Sequence, residues 1–518
     1  MRGPRTAVVV GGGIAGLASA ALLARDGWDV TLVEKQPEVG GRAGSWSAGG
    51  YRFDTGPSWY LMPEVFDRFF RLCGTTAAAE LDLTTLDPGY RVYAEGEPTP
   101  FDVPRGRDAA AALFEQRERG AGAALHDYLD SAAEAYALAV DRFLYDPYAD
   151  TAGLRDRELL RRLPALAPLL TRSLQRHVAS RFRDPLLRQI LGYPAVFLGG
   201  SPSRVPALYH LMSHLDLEQG VQYPRGGFAE VIAAVARQAQ LHGVRVRTGA
   251  EVESIAVRDG RARGVVLTGG EAIDADVVVS AADLHHTDTT LLPAGSRDRS
   301  ERWWRRRTAA PGALLLLLGV RGELPELAHH TLLFTRDWRR NFDDIFAQPG
   351  RVPDPASMYV CRPSASDPDV APPGHENLFV LVPIPADFGL GAGGVDGEGS
   401  AAAEAAADRA IAQLAQWTAV PDLAERIEVR RVITPTDLAS DLHAWRGSAL
   451  GLAHTLRQSA VMRPRNRARS VDCLFFAGGS ALPGIGLPMC LISAELVSTL
   501  VRAELAGGRP AARMTAEA

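Results

Sequence analysis

The chain opens with a strand pattern that breaks off abruptly: TAVVV from Thr6 runs into three glycines at Gly11, Gly12 and Gly13. IAGLASAALLARDG from Ile14 then reads as a helix, and DVTLVE from Asp29 as a second strand. Gly27 stands where a helix C-cap belongs. From about residue 81 to 220 the pattern changes to helical segments rich in Leu, Ala and Arg. Strand and helix alternate again in YPRGGFAEVIAAVARQAQLHGVRVRTGAEVESI from Tyr223, and DADVVVSAAD follows as a buried strand. Between about 291 and 440 the runs ALLLLLGV, SMYVC and NLFVLVPIP predict strands, while GLGAGGVDGEG reads as solvated linker before an alanine-rich helix. Near the C-terminus, CLFFAGGSALPGIGLPMCLISAELVSTLVRAEL is once more strand, glycine loop, helix.

Three blocks share one character, so the expected fold class is α/β. One lobe is assembled from residues 1–80, 221–290 and 441–508; a second, α+β lobe combines the helical 81–220 with the sheet-forming 291–440, and 509–518 is a flexible tail. At 518 residues the chain exceeds one ordinary core. No apolar run approaches the ~20 residues that span a bilayer, and no signal peptide is read. The composition, 46% hydrophobic and 23% charged with a net charge of −5, gives no electrostatic reason to expect nucleic acid. Cys73, Cys361, Cys473 and Cys490 are scattered without CxxC spacing, which fits a reducing cytoplasm. His210 and His214 lie four apart on an expected helix but no acidic third ligand has the right spacing, so no metal site is read.

Gly11, Gly13 and Gly16 form G-x-G-x-x-G between a strand and a helix, the context that separates this fingerprint from chance matches. The first glycine permits the turn, the second admits a pyrophosphate to the main chain, and the third lets helix pack on strand. The helix beginning at Ile14 and Ala15 offers free N–H groups and a positive dipole end to the phosphates. Glu34, followed by Lys35, ends the second strand where a carboxylate can accept from ribose hydroxyls. The approaching group is therefore expected to be a dinucleotide, with NAD and FAD both open on these residues.

EVGGRAGS adds a second glycine–arginine element at Gly41 and Arg42, which resembles FAD proteins of the amine-oxidase type. Together with GPSWYLMP, YPRGGFAEV, VVVSAADLHHT, RGSALGLAHTLRQSA and AGGSALPGIGLPMCLISAEL, it makes nearly the whole chain similar to the bacterial phytoene desaturase family. The resemblance implies a Rossmann-like FAD-binding lobe built from the three discontinuous segments, and a substrate lobe with a helical, membrane-facing part. It implies FAD contacts from Gly11, Gly13, Ile14, Ala15, Gly16, Glu34, Lys35, Gly41 and Arg42, from Gly56, Pro57 and Ser58 beside the flavin, and from Val252 at the adenine end. Gly478 and Gly479 match the turn under the pyrophosphate; Leu487, Pro488 and Met489 open a helix toward the flavin pyrimidine edge. One departure stands out: family members commonly carry Thr-His-Pro-Gly after the glycines, whereas this chain has Ser480 and Leu482 in SALPG.

The implied activity is FAD-dependent desaturation of a long acyclic carotene, phytoene to lycopene-type products, with oxygen or a quinone as electron acceptor. Oxygenation or ketolation of a carotenoid on the same scaffold, and a non-catalytic isoprenoid carrier, are the alternatives. His214 is the candidate for proton handling, and Tyr209 the candidate for the substrate channel. Between Arg155 and Arg188, nine arginines interleave with Leu159, Leu163, Leu169 and Leu170, a basic amphipathic segment suited to an anionic membrane surface. The expected location is cytoplasmic and peripheral on the inner face of the membrane; oligomeric state is left open.

Overall fold

The computed structural model describes residues 5–147, 167–347, 350–455 and 457–505. Its centre is a parallel sheet of five strands in the order Leu474–Phe476, Val277–Ser280, Thr6–Val10, Asp29–Val33, Arg245–Arg247. The two ends of the chain thus supply strands to one sheet. Ala7 is paired with Val277 on one side and Val30 on the other, which buries the first strand completely between neighbours.

Alternation along these strands divides the core. Ala7, Val9, Val30, Leu32 and Val279 face a layer of three helices, Ile14–Arg25, Phe228–Leu241 and Leu487–Leu505. Val8, Val10, Val33 and Val278 face the other way, toward the antiparallel sheet Val252–Arg258, Arg261–Leu267 and Ala272–Asp274. A strand covered on both faces has no polar side, and this is why VVV reads as a continuous apolar run. The Ile14–Arg25 helix ends as its sequence suggests: Gly27 adopts φ +87° and donates its N–H to Ala24 O.

The second sheet has eight strands, ordered Gly394–Val395, Ile427–Ile433, Gly312–Arg321, His375–Ile384, Met358–Cys361, His330–Phe334, Tyr90–Ala94 and Phe101–Val103. In the long Gly312–Arg321 strand, Leu314, Leu316 and Leu318 pack under the Ala401–Trp417 helix, while Ala313, Leu315 and Leu317 face the helices of the first half of the chain. Two departures from the sequence reading appear. The span 81–220, read as helical, also contributes Tyr90–Ala94 and Phe101–Val103, the former paired in parallel with His330–Phe334. The expected helix carrying His210 and His214 is broken into a 3-10 turn, Ala207–Leu211, and a π turn, His214–Gln219, so the two imidazoles do not share a regular face.

Among the described residues, no helix is long and apolar enough to cross a membrane. Arg155, Arg157, Arg161 and Arg162, with Leu159 and Leu163, lie outside the described residues.

Candidate functional site

A cavity of about 1280 Å³ runs from the C-terminal ends of the parallel strands to the inner face of the eight-stranded sheet. Its volume exceeds the roughly 300–1,000 Å³ of common small-molecule sites. Open α/β sheets bind ligands at this end of their strands, where successive connections leave in opposite directions.

The polar end is built from main chain. Gly11 adopts φ +101°, and a Cβ on Gly16 would sit 1.9 Å from Gly11 O, so helix and turn can meet only with bare backbone at position 16. Gly16 itself does not reach the cavity; it acts by letting the helix close on the turn. Leu17 N–H is the first to bond within the helix, to Gly13 O, and Gly13 has no capping side chain. The N–H groups of Ile14, Ala15 and Gly16 therefore precede the helix's own bonds, a ready anion site. Across the cavity, Cys490 N–H reaches back to Gly486 O, leaving the amides of Leu487 and Met489 ahead of the first bond of the last helix. Two helix N-termini thus converge on one space, in keeping with a ligand carrying negative charge at two places.

Glu34 ties the first turn to the second strand. Its Oε2 accepts from Gly12 N–H at 2.5 Å and its Oε1 from Gln36 N–H at 2.8 Å. The GGR element folds back on the same turn, with Gly40 N–H donating to Gly12 O, and a Cβ on Gly56 would lie 1.9 Å from Arg42 O. Arg42 is steered by Asp283, 3.5 Å away, a carboxylate that also caps the amides of His285 and His286. Gly11, Gly13, Ile14, Ala15, Glu34, Lys35, Gly41, Arg42, Gly56, Pro57, Ser58, Val252, Gly478, Gly479, Leu487, Pro488 and Met489 all line this one cavity, as do Ser480 and Leu482.

Three features escaped the sequence reading. His286 and His443 stack with centroids 3.9 Å apart and planes within 7°, beside Lys35, Glu251 and Val252 in the cavity wall. Burial, then the neighbouring His443, push the His286 pKa down to about 4, so the His286 ring is neutral at physiological pH. Arg463 is buried and donates to Gly479 O at 2.5 Å and Gln458 O at 3.1 Å, holding the Gly478–Gly479 turn through carbonyls. Burial lowers its pKa to about 10, so it still carries its charge at neutral pH. His454 accepts from Ile485 N–H at Nε2, which puts its proton on Nδ1 and makes it the donor to Tyr209 Oη at 2.6 Å. Tyr209 lines the cavity and keeps its own phenol proton.

His214 is a correction. It is absent from the cavity wall; its Nδ1 pairs with Glu218 at 2.7 Å, and Glu218 also binds Arg107. The Tyr136 ring, which does line the cavity, packs against His214 at 5.5 Å with the planes tilted by 42° and stands in its place. The π turn, which shifts the register of the side chains that follow, turns Leu215 to the wall and His214 away.

Beyond the cradle the lining turns apolar, with Trp59, Phe197, Leu315, Phe334, Trp338, Phe342, Phe379 and Ile433. Tyr193 on this wall donates to the buried Asp216 at 2.7 Å. Desolvation raises the Asp216 pKa to about 7, so the folded protein holds a proton that the unfolded chain releases near pH ~4. Between these values the native state binds more protons, and its stability falls as pH rises through the window. Differential scanning fluorimetry from pH ~4.5 to ~7.5 is expected to show a flatter decline in melting temperature for Asp216→Asn than for the wild type. Gly16→Ala is expected to purify with most of its flavin absorbance lost, because the new methyl would force the turn from the helix.

Residues 14–502 match the family profile described as flavin containing amine oxidoreductase. A carotenoid 3,4-desaturase of Haloarcula japonica is 42% identical over 487 residues, 94% of this chain and 96% of its own length. A zeta-carotene-forming phytoene desaturase of Myxococcus xanthus is 37% identical over 95% of this chain and 93% of its own. Among solved structures, putrescine oxidase bound to putrescine superposes with a TM-score of 0.59 at 16% identity, covering 97% of this chain and 99% of that one. An oxidoreductase of Methanosarcina mazei gives 0.55 at 17%, covering 95% and 99%. These two establish the fold. The converging amides, the bare glycine turns and the Glu34 and Arg42 elements fit FAD, and the chain belongs to the flavin containing amine oxidoreductase family, in the group of carotenoid and phytoene desaturases, as an FAD-dependent oxidoreductase.

Proposed function

We propose that this enzyme introduces double bonds into a long acyclic carotene. The observation that carries the reading is the continuity of one cavity, which joins the main-chain cradle at Gly11 and Gly478 to an apolar channel lined by Trp59, Phe334 and Phe379. FAD supplies two-electron acceptance when bound. The chain's own residues hold it through backbone amides, and the buried charge of Arg463 beneath the Gly478–Gly479 turn favours negative charge nearby. The aromatic and branched wall excludes water and aligns a hydrocarbon, which has no polar handle of its own. Tyr209, fixed by His454, is the hydroxyl placed to meet that chain.

The mouth of the channel supports a membrane source for the substrate. Leu170, Val461 and Met462 line the cavity yet are 42%, 40% and 61% exposed, an unusual position for large apolar side chains. Arg172, Arg176, Arg181 and Arg183 follow Leu170 in the chain and are exposed. Apolar rim and adjacent cations together suit an anionic lipid surface. A second reading concerns the bond attacked: the 42% identical relative is named a 3,4-desaturase, which favours a carotenoid already desaturated in its centre.

Expression in phytoene-accumulating and in lycopene-accumulating hosts tests both. Lycopene-type absorption in the first host is the expected result; a bathochromic shift in the second alone favours the 3,4 reading. Oxygenated products, or unchanged pigment in both hosts with flavin-loaded enzyme present, would overturn desaturation. Replacing Arg172, Arg176, Arg181 and Arg183 together with Gln is expected to cut co-flotation with anionic liposomes several-fold, and Met462→Asp to cut it on neutral ones.

A further inference from the structure

Outside the cavity, among the described residues, His329, His330 and Cys361 each bring a possible ligand atom to within 4.8 Å of the others. Register explains the meeting. His330 and Cys361 are direct partners in the antiparallel pair His330–Phe334 and Met358–Cys361, so their side chains leave one face of the sheet, and His329 immediately precedes that strand. Their exposures are 5%, 0% and 2%.

Both imidazoles use only one nitrogen. His329 Nδ1 lies 3.0 Å from Ser366 Oγ and His330 Nδ1 lies 2.7 Å from Tyr359 Oη, whereas both Nε2 atoms are buried without a hydrogen-bond partner. Metal-binding histidines have this arrangement: Nδ1–H anchored on an oxygen, the Nε2 lone pair left for the ion. Burial keeps both rings neutral at physiological pH, with the His329 pKa pushed down to about 3, so neither has to shed a proton to bind. The Cys361 thiol, raised to about 12 by burial, keeps its proton until a cation displaces it.

We propose that His329 Nε2, His330 Nε2 and Cys361 Sγ form a buried three-coordinate site for copper(I). Charge selects the metal. One monovalent cation enters as one proton leaves the thiol for solvent; no electron moves, and the site stays neutral before and after. Zinc(II) would leave an uncompensated positive charge and take a fourth ligand. The nearby Asp367 does not supply one, since its oxygens already accept from Gly226 N–H, Tyr223 O–H and Asp369 N–H. Thiolate softness points the same way. Bound there, the ion would pin two strands behind Trp59, which stacks on His330 at 4.4 Å and lines the cavity.

The test uses the full-length flavoprotein, expressed with added copper and titrated anaerobically with Cu(I) against bicinchoninate. One equivalent is expected to resist the chelator, with X-ray absorption reporting one sulfur and two nitrogens. Cys361→Ser is expected to weaken binding at least 100-fold, and Ser366→Ala, which removes only the anchor of His329, by roughly 10-fold to 100-fold. A Cys73→Ser/Cys473→Ser double variant is expected to bind as the wild type does. Matching circular dichroism and flavin content exclude misfolding, and should Cys361→Ser fail to fold, Ser366→Ala decides. No competition by the wild type, unchanged affinity in folded Cys361→Ser or Ser366→Ala, or tighter binding of Zn(II) than Cu(I), overturns the assignment.

Discussion

The carbonyl oxygen of Gly11 lies where a side chain at Gly16 would begin, and the rest of the site depends on that closeness. It draws the first helix onto the turn, which places the amides of Ile14 and Ala15 at the cavity edge. Glu34 then holds the turn by accepting from Gly12 N–H, and Gly40 closes it from the other side. Dipole, carboxylate and second glycine element are arranged around one backbone approach.

The two ends of the cavity solve opposite problems. At the cradle, polar groups are abundant and the difficulty is to bury them satisfied. Arg463 illustrates the solution, its guanidinium surrounded by carbonyls of Leu452, Gln458, Gly479 and Ala481. In the channel the difficulty is to keep an apolar space of this size from collapsing. The eight-stranded sheet does so because Gly312–Arg321 is packed on both faces, Leu314 and Leu316 beneath and Leu315 toward the channel, and cannot move inward without opening its own core.

Local signals were legible in the sequence. The fingerprint glycines and Gly27 act within a few residues of themselves, and Glu34 belongs to the same short strand–helix–strand unit, so pattern and chemistry coincide. Long-range signals were not. Tyr90–Ala94 is a strand because His330–Phe334 pairs with it from far along the chain. His454 and Arg463 matter through Tyr209, Ile485 and Gly479, contacts that no spacing announces. His214 lies off the cavity wall, at the start of the π turn His214–Gln219, a placement that residue type alone does not announce. His329, His330 and Cys361 became neighbours only through strand register.

The central strand Thr6–Val10 has its full complement of neighbours only after Val277–Ser280 has joined it, and Leu474–Phe476 joins last. The sheet and the Leu487–Leu505 helix can therefore be completed only after every segment that separates their strands along the chain has been made. Cradle and channel are therefore completed together, because the Gly478–Gly479 turn, the start of the Leu487–Leu505 helix and the rim at Val461 and Met462 all border the space that the Gly11 turn opens.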